Sequence, residues 1–393
     1  MRVVLCSDLE GDPDEQALVD ALEHLVGCYP LLAGKFSERD GRPLVRIDED
    51  RPGNVVLGHG TSLAEEINAP HTWTRGPLLR ISLLREPTAG TRLVMTLPRA
   101  FVDAMSYLAV HRRFWAIHTA VRTGGPVPAE VVRPVLGPAV DDLVGARFTA
   151  GQLGDFVAQR ARMDAEDAVA VLPTLASVDG GPGTDLSFGT TRVDLDPDRS
   201  AALTRLAHDM SLTTNDVVSG VLLTGLRHVL RPREGTVRVL CTSAVDLRRR
   251  LDPPIPDEAL QSAATTTSLR LGIDASANPI DVARQVHRDL RANIDSGAAA
   301  MELAAFAHMI DQHPPSLVIT NIGTITEPEL PDGLRVDSVR LVPLGHLPMV
   351  FAVVSRYRHR LNVDLTHSRA WYTDTQIHEL AERVSTTLTH LTS

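Results

Sequence analysis

Lysine, cysteine and long apolar runs are all scarce in this sequence. Lys35 is the only lysine among 393 residues, and acids outnumber Lys and Arg 49 to 39, a formal net charge of −10. Tracking a phosphate backbone or an anionic membrane needs a basic excess, so neither nucleic acid nor an anionic bilayer is an expected partner. Cys6, Cys28 and Cys241 stand far apart without a CxxC pair, which excludes a disulfide framework and a zinc knuckle. No apolar run approaches membrane-spanning length, and the opening MRVVLCSDLEG is broken by acids within ten residues, against a secretory leader. The sequence also lacks a Gly-x-Ser-x-Gly elbow, a Walker loop, a dinucleotide fingerprint and a His-Glu-x-x-His pair. The expectation is a cytoplasmic, soluble monomer with no cofactor and no metal. Its preference for arginine over lysine reads as coding in a GC-rich genome.

A hydrophobic fraction of 43% over this length can bury a sizeable core, and suggests two domains or one two-lobed unit. Helix and strand patterns alternate without internal repeats. In GDPDEQALVDALEHLVG, Asp12 reads as a helix cap, Pro13 as the first helical residue, and Ala17, Leu18, Ala21, Leu22 and Leu25 as one buried face. YPLLAGKF, LLRISLLRE and RLVMTL read as strands, followed by helices at about 105–121 and 155–171. LPTLASVDGGPGTDLSFG has turn formers and little periodicity, which predicts a linker over 173–189 between lobes at 1–172 and 190–393. Thr213, Thr214 and Asn215 start a strong helix, and VRVLCTSAVDL leads into the turn RRRLDPPIPDEAL. SLVITNIG, LRVDSVRLVPL, MVFAVVSRY and RLNVDLTH form a strand-rich block before a capped terminal helix.

Four stretches carry a family likeness: ALEHLVGCYPLLAGKF, LPRAFVDAMSY, SLTTNDVVSGVLLTGLRHVL with VDLRRRLDPPIP, and SLVITNIG. In this order and spacing the chain resembles the condensation-domain superfamily of chloramphenicol-acetyltransferase-like fold, and within it the polyketide-associated acyltransferases of the phthiocerol dimycocerosyl transferase type. The resemblance implies an α/β (α+β) fold of two similar lobes, a V-shaped pseudo-dimer around a central cleft or tunnel. It implies an acyl, polyketide or peptidyl substrate presented on a carrier protein or coenzyme A, in actinobacterial natural-product or lipid biosynthesis. Relatives carry a segment before the first strand, and its lack here implies a more open cleft mouth.

In that family the strand-loop-helix stretch reads His-His-x-x-x-Asp-Gly, and its second histidine is the base or holds the tetrahedral intermediate. Here those positions fall on Pro98, Arg99, Asp103 and Ala104, so only the aspartate remains. A positioned general base contributes roughly 10²–10⁴-fold, and a guanidinium with a pKa above about 12 cannot supply it. Arg99 is expected either to stabilise an oxyanion or to be a plain cleft-wall cation. By the resemblance, Asp103 pairs with Arg248 of the second lobe; the alternative is an aspartate favoured at a helix N-terminus. His111 and His118 share a helical face with Leu108 and Trp115 and read as packed side chains, which leaves His346 as the better substitute base. Pro98, Thr320, Asn321 and Gly323 are expected to line the cleft, although Asn and Gly also suit an ordinary strand-end turn. Gln261 and Ser262 stand where relatives often have Gly-Asn.

Three functions follow. The first is an acyltransferase-like enzyme with Arg99 as electrostatic stabiliser and a substrate amine or His346 as proton acceptor. The second is a cyclase that folds a flexible intermediate in the same cleft by proximity and charge. The third is a docking module without catalysis.

Overall fold

The computed structural model describes residues 1–47, 55–87, 90–130, 136–166, 168–175, 182–309 and 315–393. In chain order its strands are β1 (Arg2–Glu10), β2 (Lys35–Arg39), β3 (Arg42–Arg46), β4 (Leu57–Gly60), β5 (Arg80–Glu86), β6 (Gly90–Pro98) and β7 (Val169–Ala170). There follow β8 (Phe188–Leu195), β9 (Thr236–Asp246), β10 (Ala264–Asp274), β11 (Leu317–Thr324), β12 (Arg335–Leu344), β13 (Val350–Tyr357) and β14 (Arg360–Ser368). The chain divides into two units: residues 1–137, 255–262 and 324–344 form the first, and 138–254, 263–323 and 345–393 the second.

In the first unit a five-stranded sheet runs β12-β1-β6-β5-β4. β1 lies between β6 and β12, antiparallel to both, from Arg2 opposite Pro98 and Leu344 onward. Two helices, Glu15–Cys28 and Ala104–Thr123, pack on each other. Their apolar faces supply Leu18, Leu22, Leu25, Val110, Phe114 and Trp115 to the core, each worth roughly 1.5–3 kcal/mol if fully buried. The first helix is capped by Asp14, whose carboxylate accepts from the Ala17 amide, rather than by Asp12. Asp12 instead pairs with Arg85 at the surface. Within YPLLAGKF, Pro30–Ala33 is a single 3₁₀ turn before β2, because Pro30 supplies no amide to a ladder.

In the second unit the main sheet runs β10-β9-β11-β13-β14-β8, with β7 beside β9. The Thr214–Val229 helix crosses its core, buried along nearly its whole length, and begins with a capping box between Thr213 and Asp216. Gly220 lets this helix approach the Pro279–Asp295 helix closely; a Cβ there would overlap the Pro279 carbonyl.

The expected boundaries at 172 and 190 differ from this division. Residues 138–172 join the second unit, where β7 pairs in parallel with β9 and the Val140–Gly145 helix packs on the Ala298–Ala304 helix. Residues 324–344 return to the first unit because β12 pairs with β1 over its full length. Periodicity marks a strand but does not name its partner. Of the expected linker at 173–189, residues 176–181 lie outside the described residues, and Phe188 and Gly189 already belong to β8.

Candidate active site

The central strand β6 ends at buried Pro98, and the Arg99 amide bonds the Met1 carbonyl at 3.2 Å. A proline is tolerated here because the ladder is ending. The chain then turns through Arg99, Ala100 and Phe101. Phe101 is buried and meets Phe36 of β2 edge-on, with ring centroids 6.2 Å apart. Asp103 closes the loop as N-cap of the Ala104–Thr123 helix. Its carboxylate accepts from the Ser106 amide at 3.0 Å, and the Ser106 hydroxyl contacts the Asp103 amide at 3.0 Å. Five residues between strand and helix are thereby anchored by an aromatic contact and a reciprocal cap.

Arg99 is half-buried in this loop. Its Nη1 donates to the Val102 carbonyl at 2.9 Å and to the Ser262 hydroxyl at 2.5 Å. Burial lowers the guanidinium pKa, while the Asp103 carboxylate acts in the opposite sense. Starting from a value above about 12, the group stays cationic at neutral pH. Ser262 comes from the 255–262 segment that belongs to the first unit. The neighbouring Gln261 is buried, with its side-chain amide against the backbone of Gly137, where an added Cβ would lie 3.0 Å from Oε1. Nothing local in the sequence marks Ser262 as a partner of a residue 163 positions away.

His111 and His118 are packed, as their helical spacing predicts. His111 Nε2 accepts from Trp115 Nε1 at 2.8 Å and meets the Ser7 hydroxyl at 2.8 Å, and burial pushes its pKa down to about 3. His118 lies edge-on to Trp115, and neither ring nitrogen has a hydrogen-bond partner among the described residues. Burial first, then the positive charge of Arg122, brings its pKa down to about 4.

The remaining expected residues all belong to the second unit. Arg248 is fully buried and opens a one-turn helix, Arg248–Arg250, where its amide bonds the Asp246 carboxylate at 2.9 Å. Thr320, Asn321 and Gly323 lie in the last part of β11. Asn321 Oδ1 accepts from the Gly323 amide at 2.9 Å, and Gly323 has φ +71°, a conformation that suits glycine. Asn321 and Gly323 thus make a side-chain-closed turn within the last residues of β11. β9 and β11 run parallel, so Arg248 and the Asn321 turn leave the same end of the sheet.

His346 is at the other end. The Val350 amide bonds the Ser316 carbonyl at 3.1 Å, so β13 starts where β11 starts, and His346 precedes it. At about 3.3 Å per strand residue, this places it roughly 15 Å or more from Asn321. Its exposed ring stacks on Phe188 with centroids 4.6 Å apart, and Nδ1 is 3.5 Å from the Ser368 hydroxyl.

Among the described residues, no group of three or more His, Cys, Asp or Glu side chains is placed to hold a metal. No described helix is long and apolar enough to cross a membrane.

The family described as the phthiocerol/phthiodiolone dimycocerosyl transferase C-terminus matches residues 184–366. The chain is 24% identical over 345 residues to the phthiocerol/phthiodiolone dimycocerosyl transferase of Mycobacterium tuberculosis, covering 84% of this chain and 80% of that one. Among solved structures, polyketide synthase associated protein 5 from Mycobacterium tuberculosis matches with a TM-score of 0.74 at 19% identity, over 99% of this chain and 94% of that one. The first condensation domain of the calcium-dependent antibiotic synthetase, in complex with a substrate analogue, also matches at 0.74, with 17% identity over 100% of this chain and 91% of that one. The mixed α/β architecture and these matches agree with the four sequence stretches: the chain has the chloramphenicol-acetyltransferase-like fold of condensation domains and polyketide-associated acyltransferases, and is similar in sequence to the dimycocerosyl transferases.

Proposed function

We propose that this chain is an acyltransferase-like enzyme of natural-product or lipid biosynthesis that works without the motif histidine. The observation that carries the proposal is Arg99, a half-buried cation bonded within the motif loop at the position where relatives carry the base. A fixed positive charge in a poorly solvated site stabilises a developing oxyanion without abstracting a proton. The substrate is an acyl, polyketide or peptidyl thioester on a carrier protein or coenzyme A, and the acceptor is an amine. As the C–N bond forms and the C–S bond breaks, the thiolate leaves and takes up the proton that the amine loses. An amine needs less basic help than a hydroxyl, so the attack proceeds without His346 as proton acceptor. The resemblance supports structural roles for Asp103, which caps the helix after the motif loop, and for Arg248, which is buried at the start of its own turn, and substrate-lining roles for Pro98, Thr320, Asn321 and Gly323.

The test is intact mass spectrometry of acyl thioesters of coenzyme A and of a carrier protein, offered with amine and hydroxyl acceptors to wild type, Arg99→Ala and His346→Ala. Acyl transfer to an amine that drops roughly 10²–10³-fold in Arg99→Ala is the expected outcome. Turnover unaffected by Arg99→Ala would sink the electrostatic role. A second reading, a docking module, is favoured by the way Nη1 is engaged by the protein itself, through the Val102 carbonyl and the Ser262 hydroxyl. Its signature is a stable complex with a carrier or tailoring protein and no product from any thioester.

A further inference from the structure

Arg99 Nη1 carries two hydrogens, and two acceptors meet it, the Val102 carbonyl and the Ser262 hydroxyl. The first acceptor lies three residues along the same loop and follows wherever the loop goes. The second arrives from the 255–262 segment and is independent of the loop's own conformation. Ser262 is itself held in place: Gln261 beside it is buried against Gly137, and the Gln261 amide closes a tight turn to the Ala259 carbonyl at 2.8 Å. A long arginine side chain costs up to about 2 kcal/mol of rotamer freedom when it is ordered. A pre-placed second acceptor fixes the plane of the guanidinium as well as its position.

We propose that Ser262 is the positioning residue for Arg99, and that Arg99 and Ser262 act as one unit in which the hydroxyl orients the cation toward the reacting carbonyl. The proposal rests on the reading of Arg99 as electrostatic stabiliser and adds the residue that makes it work. Because the bond is to one hydroxyl at a fixed place, threonine can replace serine there, whereas alanine cannot.

The experiment has two readouts. Labelling by phenylglyoxal, followed peptide by peptide with mass spectrometry, reports how firmly the Arg99 guanidinium is held and needs no turnover. Ser262→Ala is expected to speed Arg99 labelling several-fold, Ser262→Thr to stay near wild type, and labelling of Arg248 to stay unchanged in both. Ser262→Cys, which keeps the volume and weakens the acceptor, serves as the second test if the alanine variant folds poorly. Steady-state kinetics with an acyl-coenzyme A and an amine should then show kcat reduced roughly 10-fold in Ser262→Ala with KM little changed, and restored in Ser262→Thr. Equal Arg99 labelling in wild type, Ser262→Ala and Ser262→Cys would overturn the positioning role. Faster labelling in Ser262→Ala, combined with turnover indifferent to Arg99→Ala, would uphold Ser262 as the holder of Arg99 and overturn the catalytic reading of Arg99 instead.

Discussion

Arg99 illustrates what one residue can and cannot tell. Its place just after β6 and ahead of the Ala104–Thr123 helix was legible from LPRAFVDAMSY alone. Its environment was not, because the Val102 acceptor is a backbone carbonyl that any residue would have, and Ser262 is distant in sequence. Restoring the motif histidine by Arg99→His therefore removes one staple and adds an imidazole with no orienting partner identified. No gain in thioester turnover is expected from Arg99→His, with circular dichroism confirming the fold. A gain comparable to a general base, roughly 10²-fold or more, would show that the loop still holds a histidine productively. At Gly220 the outcome is simpler. Gly220→Ala drives a methyl into the Pro279 carbonyl, and overpacking of this kind costs about 1–3 kcal/mol, measurable as a lower urea midpoint.

At the scale of elements, the Ala104–Thr123 helix combines a cap with two buried imidazoles. Asp103→Ala removes the side-chain half of the capping box and should cost about 0.5–2 kcal/mol in urea unfolding. The histidines make this helix acid-sensitive. Burial pushes the pKa values of His111 and His118 down to about 3 and about 4, from an ordinary histidine value of about 6.5. The folded state thus binds fewer protons than the unfolded one below pH 6.5. Their stabilising contribution is complete above that pH and is lost as pH falls, until about 4 for His118 and about 3 for His111. Each contributes a slope approaching about 1.4 kcal/mol per pH unit in that window. His118→Phe should flatten the pH dependence of the urea midpoint between pH 4 and 6.5, and an unchanged slope would mean that His118 is solvated. The helix and its buried face could be read from spacing, as could the Thr213 cap. The Asp12 expectation missed because Asp12 and Asp14 are equally good caps in sequence, and only the chain's approach selects Asp14.

Seen whole, the molecule is interleaved where the sequence suggested two successive blocks. Alternation in LRVDSVRLVPL marked β12 as a strand, but its register against β1, from Arg2 opposite Leu344 to Glu10 opposite Arg335, depends on pairing across more than three hundred residues. Such long-range pairing leaves no local signal. A fragment ending at residue 172 should accordingly fail to give a folded first unit, with collapsed amide dispersion in its ¹H–¹⁵N spectrum. A well-dispersed spectrum from that fragment would show β12 to be dispensable.

The pairing of β12 with β1 also sets a clock. On a ribosome adding about 5–20 residues per second, β1 emerges on the order of tens of seconds before its partner exists. Throughout that interval the strand that will sit between β6 and β12 has one unpaired edge, rich in valine and leucine. The time for which that edge must be kept from other chains is fixed by the length of everything translated in between.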